Sequence, residues 1–374
     1  MLIFNNARLV LPHQIITGHL VVQNGLITAI NPSLAASDID CAGDYLIPGI
    51  IDLHTDNLER QVLPRNNARW PSRSALLAHD AQCAAAGVTT LFDALCLGDI
   101  GFEKERLQTF RDGQADLAAL AGTDLLKAEH FLHLRCELPS STMLDLLHAA
   151  IDDPLVRLVS LMDHSPGVGQ YADIAKYRQM RAAEGHDDAA ISAMIALLQQ
   201  SRTRWTEPNR AAALSLARAR GIPVASHDDR TQEEVRANHR DGIAIAEFPV
   251  TKAAASAARA VGIAIIGGAP NIVRGGSHSG NVAVLDLVRA GLIDALASDY
   301  VPASMIEAAF ACVTHGALDL PAAIGLISAA PAAMVGLTDR GRIEPGLRAD
   351  LVQVRLHQQQ PAIRAVWRAG ARVA

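Results

Sequence analysis

The sequence predicts an α/β fold: a distorted (β/α)8 TIM barrel with a small β-sandwich domain formed by both termini. Three observations carry this expectation. Between residues 49 and 338, eight short apolar runs alternate with alanine-rich helical stretches, the rhythm of βα units around a parallel sheet. No G-x-G-x-x-G follows the first run, which disfavours an open dinucleotide-binding sheet. The two ends, 1–48 and 339–374, instead hold short strands separated by turn signals such as Asn24-Gly25 and Pro345-Gly346, and such ends can pair into one small domain.

In order along the chain, "LIFNNARLVL", "HLVVQNGLITAI" and "YLIPG" supply the N-terminal strands. The barrel strands follow as "GIIDLHT", "GVTTLFDA", "HFLHLRCEL", "VRLVSLMDH", "IPVASHDD", "IAIAEFPV", "GIAIIGGAP" and "LIDALASDY". Helices are expected at "SRSALLAHDAQCAAA", "NRAAALSLARAR", "TKAAASAARAV" and "SMIEAAFACVTHGAL". An excursion from Gly167 to about Asn209 follows the fourth strand, and loops that long usually serve as lids or oligomer contacts. "GRIEPGLRADLVQVRL" and "IRAVWRAGARV" close the terminal domain.

Composition narrows the function. Of 374 residues, 50% are hydrophobic and 19% charged, too apolar for disorder and ample for a large core. A net charge of −6 provides no cationic field for nonspecific nucleic-acid binding. No apolar run is long enough to span a membrane, and "MLIFNNARLV" lacks a signal-type pattern; a cytoplasmic, soluble protein is expected. The five cysteines (Cys41, Cys83, Cys96, Cys136, Cys312) form no C-x-x-C pair and read as reduced core thiols.

Chemistry gathers at the strand ends, where barrel enzymes place their active residues. By the two-residue period of a strand, Asp52, His54 and Asp56 share one face of the first strand, and His133, Arg135 and Glu137 one face of the third. The fourth strand closes on His164, the fifth on His227 and the eighth on Asp299. Any one of these alone reads as a cap or a hydrogen-bonded surface residue. Together, His54, Asp56, Glu137, His164, His227 and Asp299 form a donor set for divalent first-row cations.

With these residues in view, the chain resembles the amidohydrolase superfamily, whose barrels bind metal through H-x-H-like, His, His and Asp motifs. More narrowly, "DLHTDN", "HLRCELP", "VSLMDHSPG", "ASHDD", "AEFP", "GAPNIVRGGSHSGNVA" and "SDYVPAS" are similar to the diphosphatases of the carbon–phosphorus lyase pathway. That resemblance implies a hydrolase of phosphonate catabolism acting on acid anhydrides. It would cleave α-D-ribose 1-methylphosphonate 5-triphosphate to the 5-phosphate and pyrophosphate by attack of metal-activated water on the α-phosphorus. Two departures from the commoner superfamily pattern fit this narrower group. Asp56 stands where a second histidine is usual, and none of the four lysines (Lys104, Lys127, Lys176, Lys252) ends the third or fourth strand, so Glu137 becomes the expected bridging ligand.

Charge then sets the expected metal number. One divalent ion would leave the three carboxylates with an excess negative charge that repels a polyphosphate, whereas two ions reverse the sign. We therefore expect two divalent ions, zinc first, with manganese or iron also suited to these ligands. His54 and Asp56 would hold one, His164 and His227 the other, and Asp299 would orient the water and accept its proton. Substrate donors are expected in the loop after the seventh strand, at Arg274, Gly275, Gly276, Ser277 and His278, and at Gly167, Gly169 and Gln170, with Arg60, Arg65 and Lys252 ranked lower. Lys176 and Tyr177 are candidate lid residues, and His133 and Arg135 are expected to support the metal ligands from behind. His79, His130, His148, His186, His239 and His315 read as surface histidines, and Trp70, Trp205 and Trp367 as packing residues. The expected partner is a phosphorylated small molecule, with no nucleic acid or membrane, in a homo-oligomer. Two rivals stand beside this reading: hydrolysis of a cyclic amide or N-acetyl sugar phosphate, and an inactive barrel kept as a binding scaffold.

Overall fold

Eight parallel strands form the barrel wall in chain order: β1 (Ile50–Thr55), β2 (Val88–Leu97), β3 (Glu129–Glu137), β4 (Val156–Met162), β5 (Val224–His227), β6 (Ile245–Glu247), β7 (Ala264–Gly268) and β8 (Ala295–Ala297). They belong to a computed structural model that describes residues 1–33, 38–65, 68–98, 104–277 and 280–374. All eight expected strands are present. The ring closes through a parallel bridge between Thr55 and Asp299. There the Asp299 amide donates to the His54 carbonyl at 2.9 Å, and the Asp56 amide donates to the Asp299 carbonyl at 2.6 Å.

The inward face of the wall changes character along the strands. Ile51, Leu53, Phe92, Phe131, Leu158, Ala225, Ile245, Ile266, Ala295 and Ala297 pack as one buried cluster. Two residues beyond Phe131, Leu158, Ala225, Ile245 and Ala297 stand His133, Ser160, His227, Glu247 and Asp299. Period-two geometry thus puts an apolar plug directly beneath a polar layer at the C-terminal end.

Strand β1 departs from strict alternation. Asp52 pairs with Leu91 but Thr55 with Asp93, so the register slips by one residue, as in a β-bulge. This corrects the expectation of one shared face for Asp52, His54 and Asp56. Asp52 turns away, accepting from the amides of Ser298 at 3.1 Å and His54 at 3.3 Å, and Leu53 joins the plug beside a His54 that faces the site.

Helices α1 (Asn57–Val62), α2 (Ser72–Ala85), α3 (Lys104–Leu120), α4 (Met143–Ala150), α5 (Ile174–Ala183), α6 (Asp188–Ala219), α7 (Gln232–Arg240) and α8 (Lys252–Ala260) follow in order. The excursion after β4 is helical rather than a long loop. A short turn and α5 lead into the 32-residue α6, which runs through Pro208, where the sequence reads as a helix start. Asn209 fastens α6 to the turn after β3 by donating to the carbonyls of Leu138 and Ser140, both at 2.8 Å. Tyr177, expected as a lid residue, is instead buried with Ile191 and Ile195 in a small core between α5 and α6.

Both termini build one curled sheet. Tyr45–Pro48 runs parallel to Leu2–Val10 and antiparallel to Leu351–His357, which joins the N-terminal strands to the C-terminal ones. Leu26, on the edge strand, bridges Arg348 just ahead of Leu351–His357, and Phe4 meets Trp367 edge-on at 4.8 Å in the sheet's core. Arg340 and Arg348 tie this sheet to the barrel by converging on the Glu129 carboxylate. Trp70, by contrast, is 57% exposed, and all five cysteines are free and buried.

Candidate metal centre and substrate cavity

The donors converge at the strand ends as one cluster. His54 lies with its ring centroid 5.0 Å from His133 and 5.8 Å from His227, and His227 lies 5.7 Å from His164. Three overlapping donor groups result, each with its ligand atoms within 4.8 Å: His54, Asp56 and Asp299; His164, His227 and Asp228; and His54, His227 and Glu247. A cation fits the chemistry of these groups. His54 Nε2, Asp228 Oδ2 and Glu247 Oε2 are buried without a hydrogen-bond partner, an arrangement costly for a protein interior unless a further partner satisfies it.

Glu247 is one of two donors that sequence reasoning missed. Fully buried at the end of β6, it places Oε1 3.2 Å from His54 Nδ1 and Oε2 3.8 Å from His133 Nε2. A carboxylate on one nitrogen fixes the tautomer and presents the other nitrogen to a metal. Burial opposes a charged imidazole here, but the Glu247 and Asp56 carboxylates prevail and raise the His54 pKa to about 10. Its signal in the sequence was positional: "AEFP" ends a strand in the place where "ASHDD" and "SDY" end theirs. Asp228, next to His227, was likewise passed over, although its Oδ2 lies 3.2 Å from His227 Nδ1.

Asp56 stands 3.5 Å from His54 Nε2 and 2.6 Å from Arg135 Nη1. Despite burial, the Arg135 charge holds the Asp56 carboxyl well below the usual range. For Asp299, burial and the adjacent Asp56 charge act together and push its pKa up. His133 donates from Nδ1 to the Leu53 carbonyl at 3.0 Å and bonds Ser160 Oγ at 2.8 Å through Nε2; burial holds it neutral, with its pKa lowered to about 3. Asp228, Phe248 and Asp299 leave β5, β6 and β8 in the left-handed region, with φ of 58°, 53° and 56°. Such backbone costs free energy in non-glycine residues and persists where the surroundings enforce it.

Glu137, the expected bridging ligand, lies against His164 at the end of β3. One oxygen accepts from the His164 amide at 2.9 Å and the other lies 2.6 Å from His164 Nδ1, so both face the same histidine. Among the described residues it belongs to none of the three donor groups.

A cavity of about 330 Å³ opens over the cluster, lined by Asp56, Arg135, Glu137, His164, His227, Asp228 and Asp299 at the strand ends. Gln170, Arg274, Gly276 and Ser277 of the expected substrate residues also line it. Gly275 and Gly276 have φ of 76° and 151°, which glycine alone adopts readily. His278 lies outside the described residues. Gly167, Gly169, Gly275, Arg60, Arg65 and Lys252 are not in the described lining: Gly169 packs beside Asp228, Arg60 donates to the Tyr300 carbonyl at 2.7 Å, and Arg65 and Lys252 are exposed. Lys176 Nζ lies beside Gly280, in the loop whose Asn281 and Val282 line the cavity.

His79 and His130 are buried, contrary to the surface reading. His79 Nε2 and His130 Nδ1 each lie 2.8 Å from an oxygen of Asp93, and His130 Nε2 lies 3.1 Å from Asp80. His148, His186, His239 and His315 are exposed as expected.

The chain belongs to the amidohydrolase family, whose model matches residues 123–374; the family is metal-dependent, and the donor groups above suit that dependence. Within it, the chain is 43% identical over 377 residues to the alpha-D-ribose 1-methylphosphonate 5-triphosphate diphosphatase of Escherichia coli (strain K12), covering 100% of both chains. Solved structures share the fold. One is N-acetyl-D-glucosamine-6-phosphate deacetylase from Mycobacterium smegmatis, at TM-score 0.64 and 16% identity, covering 100% of this chain and 99% of that one. Another is N-isopropylammelide isopropylaminohydrolase from Burkholderia multivorans, at TM-score 0.64 and 16% identity, covering 99% and 97%. No helix among the described residues is long and apolar enough to cross a membrane.

Proposed function

We propose that this chain hydrolyses α-D-ribose 1-methylphosphonate 5-triphosphate to the 5-phosphate and pyrophosphate. The observation that carries this reading is full-length identity of 43% to a relative of that activity. The cavity agrees with it, because acidic and imidazole donors at the strand ends meet arginines and a glycine loop further out.

In this reading His54, Asp56 and Asp299 hold one divalent ion and His164, His227 and Asp228 a second, with zinc the first candidate. Such ions supply Lewis acidity toward a phosphoryl oxygen and make water acidic enough to deprotonate near neutral pH. The chain's own groups do the rest. Glu247 orients His54, Glu137 orients His164, and Arg135 fixes the Asp56 carboxylate in place. Asp299 accepts the proton of the attacking water. The Ser277 hydroxyl approaches phosphate oxygens, and Arg274 stabilises the departing pyrophosphate. We divide the chain into a terminal β domain, 1–48 with 339–374, and a catalytic barrel, 49–338.

Phosphorus NMR of metal-replete protein with the ribose methylphosphonate triphosphate tests the reading. Pyrophosphate and the 5-phosphate are the expected products. Successive release of orthophosphate, or no turnover, overturns it. Treatment with a chelator is expected to abolish turnover, and a divalent cation to restore it.

A further inference from the structure

The cavity lining is divided by charge. Four carboxylates, Asp56, Glu137, Asp228 and Asp299, lie at the strand ends, while Arg106, Arg181 and Arg274 line the same cavity from elements beyond those ends. Arg106 comes from α3 after β2, Arg181 from α5 after β4, and Arg274 from the loop after β7. These are three separate βα units that are not neighbours around the ring, so the arginines approach from different sides.

Each arginine is held in place by its surroundings. Arg106 Nε lies 3.1 Å from Glu59 Oε2, with the side chain 27% exposed. Arg181 Nη1 lies 2.8 Å from Glu184 Oε2, and its guanidinium stacks 5.1 Å from the Tyr177 ring centroid. Arg274 Nη1 approaches the Tyr300 hydroxyl at 3.4 Å. Arg135, also in the lining, is engaged with Asp56 at 2.6 Å and is part of the donor cluster.

We propose that Arg106 and Arg181 bind the polyphosphate end of the substrate together with Arg274, as a three-armed clamp for the leaving pyrophosphate. The inference rests on the diphosphatase reading for its choice of substrate. Guanidinium groups suit this task because each can present two parallel donors to phosphate oxygens and none loses its charge. The arrangement also explains how a chain of net charge −6 accepts a polyanion: positive charge is gathered at the cavity wall, without a basic surface. It gives α5 a purpose as well, since the small Tyr177 core fixes the helix that carries Arg181.

The test uses inorganic pyrophosphate titrated by calorimetry into metal-replete wild type and into Arg106→Met, Arg181→Met and their Lys counterparts. Each Met variant is expected to weaken pyrophosphate binding about tenfold or more, with Lys recovering part of the loss. The KM for the triphosphate should rise in parallel while kcat changes less. Melting temperatures verify that the variants fold, and Arg289→Gln, an exposed helix position paired with Asp286, should bind as wild type does. Folded Met variants that bind pyrophosphate within about twofold of wild type overturn the clamp, as does a wild type that binds none. If wild type binds pyrophosphate through these arginines yet releases none from the triphosphate, the clamp stands and the diphosphatase reading falls.

Discussion

His54 and Glu247, 193 residues apart, meet at 3.2 Å inside the barrel. The contact joins the first strand to the sixth across the interior and fixes which imidazole nitrogen faces Asp56. Glu247→Gln keeps the shape and removes the charge. Metal affinity is expected to fall about 10–100-fold, read by competition with a chromophoric chelator, while the circular dichroism spectrum stays unchanged. Undiminished affinity would show that Glu247 does not tune the donor.

Asp299 combines a proposed proton-accepting role with left-handed backbone. Asparagine tolerates that conformation about as well as aspartate, so Asp299→Asn isolates the chemistry. Its kcat is expected to drop by about two to four orders of magnitude with little change in melting temperature. Alanine at 299 should lower both, because strain is added.

His130 sits between Asp93 and Asp80. Burial disfavours its charge, but the two carboxylates outweigh burial and raise its pKa to about 9. A pKa above the ordinary value of about 6.5 means that the charged form stabilises the fold. That stabilisation is complete below about pH 6.5 and is lost as pH climbs through about 9. Thermal midpoints should therefore decline on the alkaline side, and His130→Gln should start lower and show a weaker decline over the same range. An identical alkaline slope in the variant would remove His130 as its source.

Phe4 and Trp367 pack edge-on from opposite ends of the chain. Either Phe4→Ala or Trp367→Ala is expected to cost about 3–5 kcal/mol, measured by urea unfolding. The double variant should cost less than the sum, since both changes open one shared cavity.

Much of this structure was legible because barrel strands advertise themselves. Short apolar runs with a polar residue at the end name both the wall and the site, and His54, Asp56, His164, His227 and Asp299 all reached the cluster. Glu247 escaped because a lone carboxylate at the end of "IAIAEFPV" reads as a cap until His54, 193 residues away in the chain, stands beside it. The bulge in β1 reversed the parity of Asp52, an effect visible only in pairing with β2. His79 and His130 were misread for the same reason: their partner Asp93 lies on a different element, and a buried imidazole looks like a surface one until its carboxylate is in place. The length of α6 was hidden by Pro208, whose ring ordinarily ends a helix. Arg106 and Arg181 carried no local motif, since only the ring arrangement brings α3 and α5 to one cavity.

The Thr55–Asp299 bridge has a consequence for synthesis. The chain must lay down more than two hundred residues after His54 and Asp56 before Asp299 exists to stand beside them, and Tyr45–Pro48 waits longer still for Leu351–His357. Contacts of such long sequence separation form late and slowly. A nascent chain therefore presents His54 and Asp56 without Asp299, and that donor group is complete only once the eighth strand has emerged.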